Sequence, residues 1–313
     1  MSQTNRRRKA WVRFLLWGLV VLALFLVAAA ASFWRRPLSV LEAMGRFGLR
    51  SSGFTRLTLA APRGPLVYWR GGAGNTVILL HGANDYAGAW AKVAGPLAAS
   101  YRVVVPDLAG HGESAPASGA LGFDDILTGV EALVAAEPGD GRVTLVGNSM
   151  GGLVALLYAR KHPDRVRGVV LVNGAALTGD ARGINLLPRT REEARQATRA
   201  LSGPAAPPVP DFILDDLVRR APASPLARLL LSNAVAFSLD GRLSEIQAPV
   251  ALLWGEADQL LPPEYAQRVA QELPNASLSL LPGCGHLPQR ECPAKLLPLL
   301  REALAPVPKA APK

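Results

Sequence analysis

Cysteine is almost missing from this chain: Cys284 and Cys292 are the two present among 313 residues. They either pair or stay as free thiols, and eight positions around a helix start make a short loop for a bridge. No chemistry is assigned to them. No cysteine follows the apolar stretch near the N-terminus, which excludes lipid attachment of the lipoprotein kind there. Histidine is nearly as scarce, with four residues, so few side chains compete for the role of general base. Aromatics are few at 6%, yet half of the chain is hydrophobic, enough to bury a core. Acidic residues are absent before Glu42, and that gap decides how the net charge of +10 is read. Arg6, Arg7, Arg8, Lys9, Arg13, Arg35 and Arg36 bracket an apolar run from Phe14 to Trp34, interrupted only by Gly18 and Ser32. Charge placed this way marks a membrane segment and not a nucleic-acid surface.

The run holds 21 residues, against the ~20 that a helix needs to cross a bilayer. Trp11, Trp17 and Trp34 suit the two interfaces. The basic cluster lies mainly on the N-terminal side, so residues 1–13 are expected in the cytoplasm and the domain on the outer, periplasmic or extracellular, side. A cleaved signal peptide is the competing reading, with Ala28 to Ala31 supplying a cleavage site before Ser32. The length of the run and the arginines on both flanks favour an uncleaved anchor over 14–34.

Residues 35–53 read as a linker or amphipathic approach to a domain over 54–304. Two strands, 54–60 and 65–70, flank the turn Ala61-Pro62-Arg63-Gly64. Strands at 76–80, 102–105, 143–146, 169–172, 250–254 and 277–281 then alternate with helices at about 87–99, 123–136, 150–161, 263–273 and 293–304. Such alternation predicts an α/β fold with an eight-stranded, mostly parallel sheet, helices on both faces, and ligands at the C-terminal ends of the strands. Between 176 and 248 no convincing strand occurs, although basic helical patches and the Pro-rich run Pro204–Pro210 do. A structureless loop of that length is improbable, so the interval reads as a helical cap. The Ala/Pro/Lys tail 305–313 reads as disordered.

Gly147-Asn148-Ser149-Met150-Gly151 follows the apolar strand 143–146 and opens the helix 150–161. A strand that turns sharply into a helix holds its central serine in a strained conformation, exposes the hydroxyl and points amides toward developing negative charge. Serine needs a base to take its proton and a third group to orient that base. His286 ends Pro282-Gly283-Cys284-Gly285-His286 after the last strand and is the expected base. His162 reads as a helix C-terminal cap, and His81 and His111 as turn residues. Asp258, in the turn Gly255-Glu256-Ala257-Asp258 after a strand, is the expected acid, with Glu256 as its nearest rival. Asn173 is not acidic, which closes the alternative position. The oxyanion donors are the amides of Met150 and Ala83, while Asn84 reads as a turn former with room for a side-chain contact. The chemistry expected here calls for no cofactor and no metal.

Together, His81-Gly82, Gly110-His111-Gly112-Glu113-Ser114, Gly147–Gly151, Gly255–Asp258 and Gly285-His286 resemble the α/β-hydrolase superfamily over residues 54–304. The resemblance makes Asp107, His111 and Ser114 structural. Serine at 149 separates the chain from epoxide hydrolases and haloalkane dehalogenases, which carry aspartate there. The anchor and the cap resemble membrane-anchored, monoacylglycerol-lipase-like serine hydrolases and related bacterial lipases and esterases. The string Gly147-Asn148-Ser149-Met150-Gly151-Gly152 also appears in the C–C bond hydrolases of aromatic catabolism. Expected, therefore, is a membrane-anchored serine hydrolase of small-molecule or lipid esters; a hydrolase of ring-fission diketones is the alternative, and a non-catalytic binding member of the fold a third reading. Substrate, chain-length preference and oligomeric state are not legible.

Overall fold

A computed structural model describes residues 3–177, 183–231 and 238–305, with residues 3–10 as backbone only. The first helix, α1 (Gln3–Arg35), runs unbroken from the basic stretch through the apolar run. Over Trp11–Arg35 it is long and apolar enough to cross a membrane, and none of that span is buried. Phe14, Trp17, Phe25 and Trp34 are each 68–74% exposed. A second helix, α2 (Pro37–Ser51), starts one residue later. The stretch 35–53, expected as a linker or amphipathic approach, is therefore mostly helical. Pro37 at the first helical position pre-sets the backbone; Gly45 and Gly48 weaken the helix signal in the sequence, and their purpose lies in packing described below.

The domain is an eight-stranded sheet: β1 (Thr55–Ala61), β2 (Gly64–Gly71), β3 (Thr76–Leu80), β4 (Arg102–Pro106), β5 (Val143–Ser149), β6 (Val166–Gly174), β7 (Val250–Gly255) and β8 (Ala276–Leu281). Their order is β1-β2-β4-β3-β5-β6-β7-β8. The hairpin β1–β2 is antiparallel and β2 runs antiparallel to β4, while every later pairing is parallel. This is the mostly parallel architecture that the strand–helix alternation predicts.

Alternate residues of each strand face opposite sides. Ile78, Leu80, Val104 and Leu145 pack with α4 (Phe123–Ala136), α5 (Met150–Lys161) and α9 (Pro263–Glu272) on one face. Val77, Leu79, Val103, Val105 and Val146 pack with α2, α3 (Ala91–Ala98) and α11 (Pro293–Leu304) on the other. β3 is buried along its whole length, so its C-terminal end is fixed by packing on both sides. The predicted helix at 87–99 is split into a 3₁₀ turn, Ala87–Trp90, followed by α3.

Between β6 and β7 lie α6 (Arg191–Leu201), α7 (Asp211–Arg220) and α8 (Pro225–Leu230), with no strand among the described residues. The expected disordered tail falls, from residue 306 onward, outside the described residues. Thr190 caps α6 by accepting from the Glu193 amide at 3.2 Å. Arg191 and Arg195 tie α6 to Asp211 and Asp215 of α7. These pairs are solvent-exposed, and such pairs add little stability. The insertion is held more firmly elsewhere. Arg228 of α8 is buried and donates to the carbonyls of Gly110, Pro116, Ser118 and Gly119. Phe212 of α7 stacks on Trp34 at 4.9 Å and meets Phe33 edge-on at 5.4 Å.

Candidate active site

Ser149 ends β5 with φ +51° and ψ −124°, a region that costs a residue with a Cβ of order 1–3 kcal/mol. Its neighbours explain how the turn closes. A Cβ on Gly147 would stand 2.2 Å from the Gly151 carbonyl oxygen, and one on Gly151 would stand 2.3 Å from that of Leu80. Glycine is obligatory at both places because backbone occupies the space. Met150 is the first residue of α5, where a helix leaves its amides without internal partners. Across the turn, a Cβ on Gly82 would lie 3.1 Å from Ser149 Cβ. The loop after β3, carrying Ala83, therefore runs directly against the serine.

His286 follows β8 and Asp258 follows β7; both are buried. His286 Nδ1 lies 2.7 Å from Asp258 Oδ2. A carboxylate only accepts, so that nitrogen carries the proton and Nε2 is left as the basic nitrogen. Asp258 Oδ1 accepts from the amides of Leu260 and Leu261, each at 2.9 Å. Glu256, the rival acid, is exposed. Asn173 donates to Asp258 Oδ2 at 2.6 Å and accepts from the Gly255 amide at 3.0 Å. An asparagine thus occupies the second acid position and supports the carboxylate without adding charge.

The loop that carries His286 is tied to several neighbouring elements. Asn148, next to the serine, donates to the carbonyls of His286 (3.0 Å) and Val172 (2.8 Å), and accepts from Gln289 at 3.0 Å. The His286 amide donates to Leu201 O at the end of α6. Glu291, in the short helix α10 (Pro288–Glu291), accepts from the Gly203 amide at 2.7 Å. Burial raises the Glu291 carboxyl, opposed by the Gly203 and Gly285 amides. Cys284 and Cys292 are joined in a disulfide that spans this loop.

The remaining histidines have structural surroundings. His81 is neutral, since burial lowers its pKa; it donates from Nδ1 to Gly82 O and accepts from the Leu108 amide at Nε2. Burial pushes His111 down to about 3, and its Nδ1 donates to Ala109 O. His162 ends α5 and contacts Glu131 at 2.9 Å. Asp107 accepts from the Ala87 and Glu113 amides, and Ser114 Oγ donates to Asp107 O. Asn84 has φ +58° and accepts from the Leu226 amide of α8 at 2.8 Å. Its side chain therefore joins the loop after β3 to the insertion. Gln289, Arg228 and Glu291 belong to this setting and carry no signature in the sequence, since their partners lie far along the chain.

Comparison with known proteins now bears on this arrangement. The sequence profile described as the alpha/beta hydrolase family matches residues 77–299. The chain belongs to the alpha/beta hydrolase family. As a member of that family it is similar in structure to a bacterial membrane phospholipase A, at TM-score 0.71 and 29% identity, over 93% of this chain and 97% of that one. An esterase of Thermogutta terrifontis matches at TM-score 0.65 and 25% identity, over 79% of this chain and 97% of that one. Among curated relatives, the 2-hydroxy-6-oxononadienedioate/2-hydroxy-6-oxononatrienedioate hydrolase of Burkholderia vietnamiensis is 32% identical over 241 residues, or 70% of this chain and 84% of the relative. This alpha/beta hydrolase thus has both ester-cleaving and C–C-cleaving kin.

Proposed function

We propose that the protein is a membrane-anchored serine hydrolase of carboxylic esters, with acylglycerol or other lipid-derived esters as substrates. The observation that carries the ester reading is α1 and its junction with α7. A 25-residue apolar helix that stacks on the insertion beside the site suits a substrate drawn from a membrane. In support, the likeness to the phospholipase extends over 93% of the chain and so reaches into the N-terminal helices. In this reading the N-terminus is cytoplasmic, the apolar helix spans the bilayer once, and the domain lies outside.

In this reading each residue has one role. Ser149 Oγ attacks the ester carbonyl carbon while His286 Nε2 takes its proton. Asp258 holds the imidazole tautomer and stabilises the imidazolium. The Ala83 and Met150 amides bind the oxyanion of the tetrahedral intermediate. Collapse breaks the ester bond, and the leaving alkoxide takes the proton from His286. Water, deprotonated by the same nitrogen, then attacks the acyl-enzyme; the Oγ–acyl bond breaks, Ser149 Oγ takes the proton back from His286, and the carboxylic acid leaves.

Treatment with a fluorophosphonate probe tests the nucleophile. Wild type is expected to be labelled and Ser149→Ala is not, with kcat lowered at least about 10³-fold. Probe uptake unaffected by Ser149→Ala would remove the reading. A second reading, hydrolysis of ring-fission diketones, is favoured by the 32% identity to a C–C hydrolase. A panel of short-chain esters, monoacylglycerols and vinylogous diketones separates the two: turnover of esters with none of diketones is expected. Deleting residues 1–36 is expected to release the protein from membranes with soluble-ester turnover kept; persistent attachment would sink the anchor.

A further inference from the structure

Three residues beyond Ala83, the buried Tyr86 joins this loop to α2. Its hydroxyl donates to the Leu41 carbonyl of α2 at 3.1 Å. Burial pushes that phenol up to about 12, so it stays a donor at any physiological pH. The ring is seated between two glycines. A Cβ on Gly45 of α2 would stand 2.3 Å from the Tyr86 hydroxyl oxygen and 3.1 Å from Cζ, and one on Gly88 would stand 2.3 Å from Cε2. One turn along α2, a Cβ on Gly48 would meet Ala91 Cβ at 3.2 Å. Glycine inside a helix is unfavourable relative to alanine. Here the absence of side chains lets α2 approach the segment 86–91.

The same segment reaches the base. Asp85 accepts from the Tyr86 amide at 2.9 Å and pairs with Arg290, four residues after His286. The guanidinium of Arg290 also lies over the Tyr86 ring, 5.8 Å from its centroid, and that of Arg46 lies at 5.1 Å. On its other side α2 is fastened to the insertion: the Leu38 amide donates to Asp216, and Arg220 donates to Ser39 and Glu42. Arg219 donates to the Arg35 carbonyl at the end of α1.

We propose that Tyr86 is a positioning residue through which α2 sets the oxyanion loop, so that the helix adjoining the anchor is part of the catalytic apparatus. This rests on the serine-hydrolase reading above. An oxyanion donor works only over a narrow range of distance, and a misplacement of about 1 Å arising far from the chemistry costs on the order of 10²-fold. Only Asn84 and Asp85 separate Tyr86 from Ala83, so displacement of the ring by α2 reaches the Ala83 amide with little slack.

The test uses the full-length protein in detergent, with active sites counted by fluorophosphonate titration. Gly45→Ala places a methyl against the Tyr86 hydroxyl. Its kcat is expected to fall about tenfold with KM within about twofold, although helix propensity alone would make this substitution harmless or stabilising. Tyr86→Phe, which loses only the bond to Leu41, is expected to lose about threefold in kcat. The double variant is expected to rise from the Gly45→Ala level to about that of Tyr86→Phe, because the struck oxygen is gone. Amide hydrogen exchange over residues 82–90 is expected to rise in Gly45→Ala and to return toward wild type in the double variant. Wild-type kcat per titrated site in Gly45→Ala, or a double variant no better than Gly45→Ala, overturns the proposal. If wild type takes up no probe at Ser149, the hydrolase reading is what fails. Exchange over 82–90 then still decides the coupling, and no change in Gly45→Ala overturns it.

Discussion

Asp258 shares its second carboxylate oxygen between His286 and Asn173, with the Asn173 contact at 2.6 Å. Asn173→Ala removes that donor and leaves the buried Gly255 amide without its side-chain partner. An unsatisfied buried group costs about 1–3 kcal/mol, so both the melting temperature and kcat are expected to fall, read by thermal unfolding and ester turnover. Glu137 is the opposite case, a carboxyl with poor company. Its side chain is 1% exposed, neither oxygen has a hydrogen-bond partner, and Arg70 stands 3.6 Å away. Burial raises its pKa above the ordinary 4.5, more than Arg70 and Arg102 lower it. The folded state therefore favours the protonated carboxyl. Its contribution is fully present below the unfolded carboxylate range and is lost as pH rises through the folded value. Glu137→Gln is expected to raise the melting temperature at neutral pH by a margin that shrinks toward zero as the pH drops below 4.5. A gain that does not vary with pH would contradict this. Ser149, Asp258 and His286 were readable because each follows an apolar strand and sits in a glycine-bearing turn of known chemistry. Tyr86, Gln289 and Arg228 were not, because their roles lie in partners such as Leu41, Asn148 and Gly119, with no local pattern to announce them.

Among the elements, the strands were legible, and so was the insertion as a helical interval between β6 and β7, but the bounds of its individual helices were not. β3 and β5 are short apolar runs buried between two helical layers, and burial on both faces leaves a strong mark on sequence. The buried stripe of α6 is made only of Ala194, Ala197 and Ala200, α7 is ten residues long and α8 six, so the signal that marks each of them is weak. α2 was read as a linker or amphipathic approach; Gly45 and Gly48 lower its helix propensity, and their packing against Tyr86 and Ala91 appears only in three dimensions. Among the ties that hold the insertion, one buried side chain makes the most hydrogen bonds to the loop before α4. Arg228 donates to four carbonyls of the loop from Gly110 to Gly119. Arg228→Met is expected to destabilise the protein by about 3 kcal/mol and to open the insertion to limited proteolysis. KM should rise more than kcat falls, since α8 also meets Asn84 beside the proposed oxyanion donor. Proteolysis at the wild-type rate would show that the helix is held by other means.

At the scale of the molecule, charge and hydrophobicity are separated along the chain. Arg6, Arg7, Arg8 and Lys9 precede the apolar helix, and no acidic residue occurs before Glu42. Under the proposed orientation these charges keep the N-terminus in the cytoplasm. Replacing all four by glutamine is expected to leave Arg13, Arg35 and Arg36 near balance and to let a fraction of chains insert inverted. Protease protection of the domain in sealed vesicles measures that fraction; uniform orientation in the variant would mean that something other than these residues directs it.

The whole sheet also bears on one dihedral. Ser149 keeps φ at +51° because β5, β6 and α5 leave the chain no other path. Strain of that kind runs at roughly 1–3 kcal/mol, which a glycine would relieve at the smaller expense of greater freedom in the unfolded chain. Ser149→Gly should therefore melt higher than wild type by an amount equivalent to about 1 kcal/mol while taking up no fluorophosphonate. The proposed nucleophile is then a residue that selection for durability alone would discard, and under the hydrolase reading its presence measures how far this fold has been shaped by turnover instead.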